Sequence, residues 1–259
     1  MGTKKEEEQM SDQDQRPAAS TGSDYRPEHS SPVMGERARE NDTFYYTLWT
    51  VFRRGETDGD RSEGVDAFDT LVNELKKQDV IVRGAYDVSA MREDADVMVW
   101  LHGASFESLQ SAVRQIRRSY LFDGTEISWS SFGVHREAEF AKDHSPAFAR
   151  GLEPLEWLCV YPFVRSHDWY LLDPKERGKM LRDHGILGRD FPMVQANTVA
   201  AFALGDYEWM IALEAPDVID LVDMMRHLRY TDARNHVREE TPFYTGKRIS
   251  TAEIAEVLR

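Results

Sequence analysis

The chain has 259 residues, of which 41% are hydrophobic and 30% charged, so it can form one large domain or two small ones around a sizeable core. Its formal net charge of −14 excludes the basic surface needed for non-specific nucleic-acid binding, although clustered arginines could still bind a small anion. The chain has a single cysteine, Cys159, so it cannot form an intrachain disulfide. No apolar run approaches the roughly 18 residues of a membrane span, which excludes a spanning helix. Both features predict a cytoplasmic protein.

The N-terminal part of the chain changes character near Phe44. Residues 1–40 are polar and rich in Glu, Ser and Pro, which predicts a disordered tail. Aromatic and β-branched residues then predict a strand, and apolar residues at helical spacing predict a helix after it. The predicted order is β-α-β-β-α-β, with elements at residues 44–52, 65–75, 80–88, 95–101, 106–116 and 127–134.

The second half of the chain repeats this order. Asp173 as N-cap, Pro174 as first helical residue and Glu176 at the third position predict a helix start, and Gly185 is expected to end that helix. Gly205 and Asp206 are expected to form the turn of a hairpin. The elements are expected at residues 155–163, 173–185, 194–204, 207–214, 218–228 and 242–244.

Two such units in one chain predict an α+β fold made of a duplicated ferredoxin-like unit. Helices cover one face of each sheet, and the other face is buried either by packing the two sheets together or by closing all strands into a barrel. We therefore expect a tail at residues 1–40, an N-terminal half at 41–140, a linker at 141–154 and a C-terminal half at 155–259.

Residues 157–189 contain the most distinctive side chains: a strand that ends at Tyr161-Pro162, a loop with Arg165, and a helix that carries His184. A histidine on an apolar helix face is more often a hydrogen-bonded core residue. It is also the usual axial ligand of haem iron, which needs an apolar slot for its macrocycle. A zinc site is not expected, since no second His or Cys follows at ligand spacing.

Tyr161 and Arg165 each have an ordinary and a functional interpretation. A tyrosine at a strand end is usually structural, but near an oxidising haem its phenol could form a radical and take hydrogen from a propionate side chain. A loop arginine is often solvated, but it could hold a propionate bidentately. Further donors to such carboxylates are Ser166, Arg189, Arg229 and Arg234.

Two more residues are candidates for a haem site. His144 lies in the linker, where a histidine is usually just exposed, but it could also overhang the iron and accept a proton from hydrogen peroxide. Trp209, in the run Asp206-Tyr207-Glu208-Trp209, is by default a core residue, and it could instead pack beside the macrocycle.

The sequence resembles the haem-dependent coproheme decarboxylases of the chlorite dismutase superfamily. Four short runs carry the resemblance: Tyr161-Pro162, Trp169-Tyr170, His184-Gly185 to Gly188-Arg189, and the run that ends at Trp209. The resemblance covers roughly residues 44–248. It implies a duplicated ferredoxin-like barrel, assembled as a homopentamer, that binds haem only in its C-terminal half. It also implies that His184 is the proximal iron ligand, Tyr161 the radical-forming tyrosine and Arg165 a basic residue near a propionate.

One position distinguishes branches of this family. Members from Firmicutes carry a distal glutamine, and the corresponding residue here is Ala196. Actinobacterial members use a linker histidine instead, which His144 matches. The chlorite-decomposing relatives need a distal arginine, and no residue matches it convincingly.

The resemblance implies an H₂O₂-dependent decarboxylation of coproheme, which is iron-coproporphyrin III. Two propionates would become vinyl groups through a three-propionate intermediate, giving haem b, so that coproheme is both substrate and redox cofactor. A transient contact with the upstream ferrochelatase is also expected. Two alternatives stay open: a chlorite dismutase or general haem peroxidase, and a non-catalytic haem carrier or sensor.

Overall fold

The computed structural model of this protein describes residues 44–55, 59–136 and 145–259. The predicted tail and the candidate base His144 lie outside these residues. None of the helices in the described ranges combines the length and apolar character needed to cross a membrane.

The N-terminal half has the predicted order of elements. They are β1 (Phe44–Arg53), α1 (Val65–Lys77), β2 (Val80–Asp87), β3 (Val97–Gly103), α2 (Phe106–Arg118) and β4 (Glu126–Arg136). Both helices pack on the sheet through apolar residues at helical spacing, such as Phe68 and Leu75 of α1. Ser105 caps α2 by accepting a hydrogen bond from the backbone N–H of Ser108.

The C-terminal half contains the predicted elements and two more. They are β5 (Trp157–Arg165), α3 (Pro174–Gly188), β6 (Gln195–Ala200), β7 (Trp209–Ala215), α4 (Val218–His227), β8 (Val237–Glu239), β9 (Tyr244–Ile249) and α5 (Thr251–Val257). The predicted start of α3 is confirmed, since Asp173 accepts a hydrogen bond from the N–H of Lys175 at 2.7 Å and Pro174 is the first helical residue.

The predicted end of α3 at Gly185 is wrong, because the helix continues to Gly188. A glycine ends a helix where it adopts a left-handed conformation. Among the described glycines only Gly124 and Gly151 have positive φ, so Gly185 is an ordinary helical residue.

Several strand boundaries also differ from the prediction. Strand β5 continues to Arg165, so Arg165 lies on the strand and not in the predicted loop. The strands β6 and β7 are shorter than expected, and residues 201–208 connect them, with Ala203 at φ 63°. The last strand begins at Tyr244 rather than Pro242, because proline has no N–H to donate to a neighbouring strand.

The strands close into a barrel. Their order is β7-β6-β4-β1-β3-β2-β9-β5, β5 pairs again with β7, and β8 adds to the edge of β5. The halves join through β4 with β6, at Val134 opposite Ala200, and through β2 with β9, at Ala85 opposite Ile249. The duplicated α+β barrel predicted from the sequence is confirmed.

Three clusters of buried side chains fill this architecture. The barrel interior holds residues from strands of both halves and none from the five helices, with Trp49, Trp100 and Tyr244 among the largest. A second cluster lies between the N-terminal sheet and helices α1, α2 and α5. A smaller third cluster, which includes Tyr161 and Met224, lies between the outer face of the C-terminal sheet and α4.

Candidate functional site

A cavity of about 530 Å³, including its open mouth, lies on the outer side of the C-terminal sheet. It is lined by Tyr161, Phe163, Arg165, His184, Ile211, Met225, Leu228, Arg229, Thr231, Ala233, Arg234, Val237 and Glu240. Three of these residues, Tyr161, Phe163 and Arg165, alternate along β5 and therefore lie on one face of the sheet.

The cavity exists because α3 does not pack tightly on its sheet. None of its residues is buried, whereas α1 and α2 bury large side chains against the N-terminal sheet. The space that Phe68 and Leu75 fill in the N-terminal half therefore stays open in the C-terminal half.

Tyr161 is a buried phenol at the wall of this cavity, with 5% of the residue exposed. Its ring stacks on Phe243 at a centroid distance of 4.5 Å and an interplanar angle of 17°. Its hydroxyl donates a hydrogen bond to Met225 Sδ at 3.4 Å. Burial raises the pKa of Tyr161, so the phenol keeps its proton. The stacking on Phe243 and the bond to Met225 hold its orientation.

His184 reaches the cavity from α3. Its Nδ1 lies 3.4 Å from Thr231 Oγ1, and the Thr231 hydroxyl itself donates to the carbonyl oxygen of Leu228 at 3.1 Å. The threonine oxygen is therefore an acceptor for Nδ1–H, which leaves the lone pair of the ring on Nε2. Burial and the nearby charge of Arg165 lower the pKa of His184, favouring the neutral form that binds metals.

The apolar surroundings expected for His184 come from other elements rather than from its own helix. Ile211, Met225 and Leu228 line the cavity with it, whereas Leu181, one turn before it, is exposed. The cavity therefore has an apolar wall opposite α3.

Arg165 lies between aromatic rings at the edge of the cavity. Its guanidinium carbon is 4.1 Å from the centre of the Trp169 ring and 4.9 Å from that of Phe163. Its backbone N–H donates to Glu208 Oε2 at 2.9 Å. Burial lowers the pKa of Arg165, but an arginine remains charged at neutral pH, so this cation can receive a carboxylate.

A second cationic group in the cavity combines two arginines and one carboxylate. The Nη1 atoms of Arg229 and Arg234 donate to Oε2 of Glu240 at 2.7 and 2.6 Å. The Glu240 side chain is only 17% exposed. Both arginines were candidates from the sequence, whereas Glu240 was not predicted.

Ser166, Arg189 and Trp209, three predicted cofactor-binding residues, are not among the residues that line the cavity. Ser166 Oγ lies 3.0 Å from His236 Nδ1, and the Trp209 indole donates to the Tyr170 hydroxyl at 3.0 Å. Arg189 is an exposed residue at the end of α3. A role for these three in binding stays a prediction.

The lining residues fit an iron porphyrin with carboxylate side chains. A neutral imidazole can bind the iron, an apolar wall can receive the macrocycle, and guanidinium groups can pair with carboxylates. In addition, Tyr161 contributes a protonated phenol to the same lining. Tyr161, Arg165, His184 and Arg234, all predicted from the sequence, meet at this one cavity.

Comparison with known proteins identifies close relatives over most of the chain. The coproheme decarboxylase of Mycolicibacterium smegmatis is 49% identical over 217 residues, which cover 83% of this chain and 94% of that protein. The coproheme decarboxylase of Oceanobacillus iheyensis is 22% identical over 232 residues, covering 83% and 92%.

The fold has well-matched counterparts among solved structures. A chlorite dismutase from Candidatus Nitrospira defluvii in complex with imidazole superposes with a TM-score of 0.70 at 17% identity, covering 83% of this chain and 95% of that one. At 17% identity, the match supports similarity of fold alone. The sequence model of the family described as chlorite dismutase matches residues 61–249. Since this match includes most of the barrel and a relative of similar length is almost half identical, the chain belongs to the chlorite dismutase family.

Proposed function

We propose that this protein is a coproheme decarboxylase of haem biosynthesis, which converts two propionates of coproheme into vinyl groups and yields haem b. One observation carries the proposal. Tyr161, Arg165 and His184 line a single cavity in a chain that is 49% identical, over 83% of its length, to a coproheme decarboxylase. Coproheme is then both the substrate and the redox cofactor.

We propose hydrogen peroxide as the oxidant. Each propionate loses two electrons and one proton as its β C–H bond and its bond to the carboxylate break, a C=C bond forms and CO₂ leaves. One H₂O₂ accepts these two electrons and, with that proton and one more from solvent, becomes two waters. Two peroxides are therefore needed for each coproheme. When bound, the iron porphyrin supplies the reaction with peroxide and the oxidising power.

Tyr161 is the residue to which we assign the transfer of hydrogen. Its phenol gives up one electron and one proton, and the resulting radical takes a hydrogen atom from the β carbon of the adjacent propionate. The phenol is restored in this step, and the second electron leaves the propionate as CO₂ departs. The buried hydroxyl, bonded to Met225 and stacked on Phe243, is suited to this role because it is both protonated and fixed.

We assign the other roles by chemistry and position. His184 holds the iron through Nε2, and Arg165 and Arg234 pair with propionates. We assign the base that takes a proton from peroxide to His144, on the sequence alone. We also propose a homopentamer, which sedimentation velocity can measure directly, and a transient contact with the ferrochelatase that supplies coproheme.

The experiment is to add peroxide to the coproheme complex and follow the porphyrin by mass spectrometry. We expect the three-propionate species first and haem b after it. Tyr161→Phe should bind coproheme and form no vinyl group. Tyr230→Phe is the matched control, since Tyr230 is 86% exposed and outside the cavity lining, and it should convert coproheme normally.

Conversion by Tyr161→Phe at the normal rate would refute the radical role. An unchanged porphyrin mass with the wild-type protein would refute the decarboxylase. Oxygen release from chlorite would then favour the dismutase alternative, and its absence would favour a haem carrier or sensor.

A further inference from the structure

We propose that Glu240 is a built-in counter-ion that replaces the reacting propionate on Arg229 and Arg234 once its carboxylate has left as CO₂. Glu240 then keeps these two cations paired while the porphyrin passes from four propionates to three and two. This inference rests on the proposed function.

The geometry of the cluster shows a carboxylate in the place that a substrate carboxylate would take. One oxygen of Glu240 accepts hydrogen bonds from both guanidinium groups, at 2.7 and 2.6 Å. All three side chains line the cavity. A guanidinium has five N–H donors, and each bond to Glu240 uses one nitrogen, so a propionate can approach the same pair and compete for it.

The cluster and Tyr161 line the same cavity. Burial is the main cause that raises the pKa of Tyr161; Cys159 and Glu240 raise it further, while Arg229 and Arg234 lower it. A propionate that reacts must lie beside this phenol, because hydrogen transfer requires contact. We therefore assign the carboxylate that meets Arg229 and Arg234 to the reacting propionate rather than to one that remains in the product.

Loss of CO₂ removes the carboxylate that pairs with Arg229 and Arg234, and Glu240 takes its place. The vinyl group left behind is apolar and cannot pair with two guanidinium groups in a partly buried cavity. Glu240 then stays paired with Arg229 and Arg234, so the complex with fewer propionates does not lose free energy of binding through two unpaired charges. In the substrate complex, by contrast, Glu240 competes with the propionate and weakens its binding.

The test compares the binding of coproheme and of haem b to the wild-type protein and to Glu240→Gln, by absorbance titration without peroxide. We expect Glu240→Gln to bind coproheme about tenfold more tightly, since a charged competitor is lost. Haem b should bind equally or less tightly, so the ratio of the two dissociation constants should shift at least tenfold toward coproheme. Glu240→Asp, which keeps the charge, should retain a ratio near that of the wild type.

Glu239→Gln is the matched control. It removes the same charge one residue away, from an exposed position outside the cavity lining, and should change neither affinity. Circular dichroism checks that each variant is folded.

If Glu240→Gln raised the affinities for coproheme and haem b by the same factor, the proposal would be overturned, because the change would reflect a general attraction of anions. Weaker binding of coproheme or an unchanged ratio would overturn it as well. Because no peroxide is present, these results do not depend on turnover. A failure of the proposed function would instead show as an unchanged porphyrin mass in the wild-type reaction.

Discussion

The contact between His184 and Thr231 determines which imidazole nitrogen faces a metal. Because the threonine hydroxyl donates to the Leu228 carbonyl, its oxygen is left to accept from Nδ1–H of His184. A hydrogen bond of this kind fixes the tautomer and the ring orientation of a metal-binding histidine. At 3.4 Å the bond is long, so its effect should lie at the lower end of the usual range.

We predict that Thr231→Val weakens coproheme binding by roughly tenfold, since outer partners of metal ligands typically contribute 10–100-fold. The substitution keeps the shape of the side chain and removes the hydroxyl, which accepts from His184 and donates to the Leu228 carbonyl. Absorbance titration measures the affinity. Thr70→Val is the control, because Thr70 is an exposed residue whose hydroxyl donates to the Asp66 carbonyl within helix α1, and this variant should bind normally. Equal affinities for Thr231→Val and the wild type would show that this contact does not orient His184.

The sequence was sufficient to predict those site residues that lie in recognisable local patterns. Tyr161 and Arg165 both lie on strand β5, and His184 follows on the capped helix α3. Met225 and Glu240 could not be predicted, because they reach the cavity from α4 and from the segment after β8, and only the folded chain brings them to Tyr161.

Among the elements, helix α3 illustrates how local signals can mislead. Its start is encoded by Asp173 and Pro174, but its end cannot be read from Gly185, because a glycine in a right-handed conformation does not end a helix. The capping box of Ser250 and Glu253, which starts α5, was present in the sequence but followed a weakly predicted strand. That helix packs against the N-terminal core, which local patterning does not reveal.

The corrected end of α3 leads to a prediction about stability. Gly185→Ala should raise the free energy of unfolding by about 0.5–1 kcal/mol, because the position is helical and a Cβ atom there meets nothing within 4 Å. Gly151→Ala is the contrasting variant, since φ is +71° there and the substitution should destabilise by about 1–2 kcal/mol. Urea unfolding measures both, and a destabilised Gly185→Ala would contradict the helical assignment.

Strand β3 carries a half-buried histidine, His102, that should make stability depend on pH. Burial, with the nearby charge of Arg83, lowers the pKa of His102 to about 4. Below pH 6.5 the unfolded chain therefore binds a proton that the folded chain does not, so stability falls as pH falls. We predict that this histidine accounts for a loss of roughly 2 kcal/mol between pH 7 and pH 5.

Urea unfolding at both pH values tests this, with His102→Gln as the variant. It should lose less stability on acidification than the wild type. Parallel losses in the two proteins would mean that His102 is not held in its neutral form.

At the scale of the whole molecule, a buried ion pair connects the two halves of the barrel. Arg83 from β2 and Glu214 from β7 lie 2.8 Å apart, with side chains 4% and 0% exposed. Asn197 and the backbone N–H of Leu155 also donate to Glu214, and Arg83 donates to the carbonyl of Leu152. The network thus connects strands of both halves with the segment between them.

We predict that Arg83→Met destabilises the protein by about 3–5 kcal/mol, because it leaves Glu214 buried without its cation. The double variant Arg83→Met/Glu214→Leu should lose much less, since two apolar side chains can replace a buried pair. Urea denaturation gives both values. If the double variant were as unstable as the single one, the cost would come from lost packing rather than from an unpaired charge.

The duplicated α+β unit could be predicted from the order of elements, and the closed barrel was implied by the family resemblance, but the order of elements does not predict the cavity. Both halves have the same pattern, and the space opens only in the half whose helix α3 buries none of its residues. Burial of a helix face depends on the partners it meets, which periodicity within the helix does not specify.

The crystal structure of the protein with coproheme tests the central claim most directly. We predict that iron is bound by Nε2 of His184 and that the hydroxyl of Tyr161 lies beside a propionate, with Arg229 and Arg234 around the same carboxylate. Iron bound by another side chain, or a Tyr161 ring distant from every carboxylate, would contradict the account.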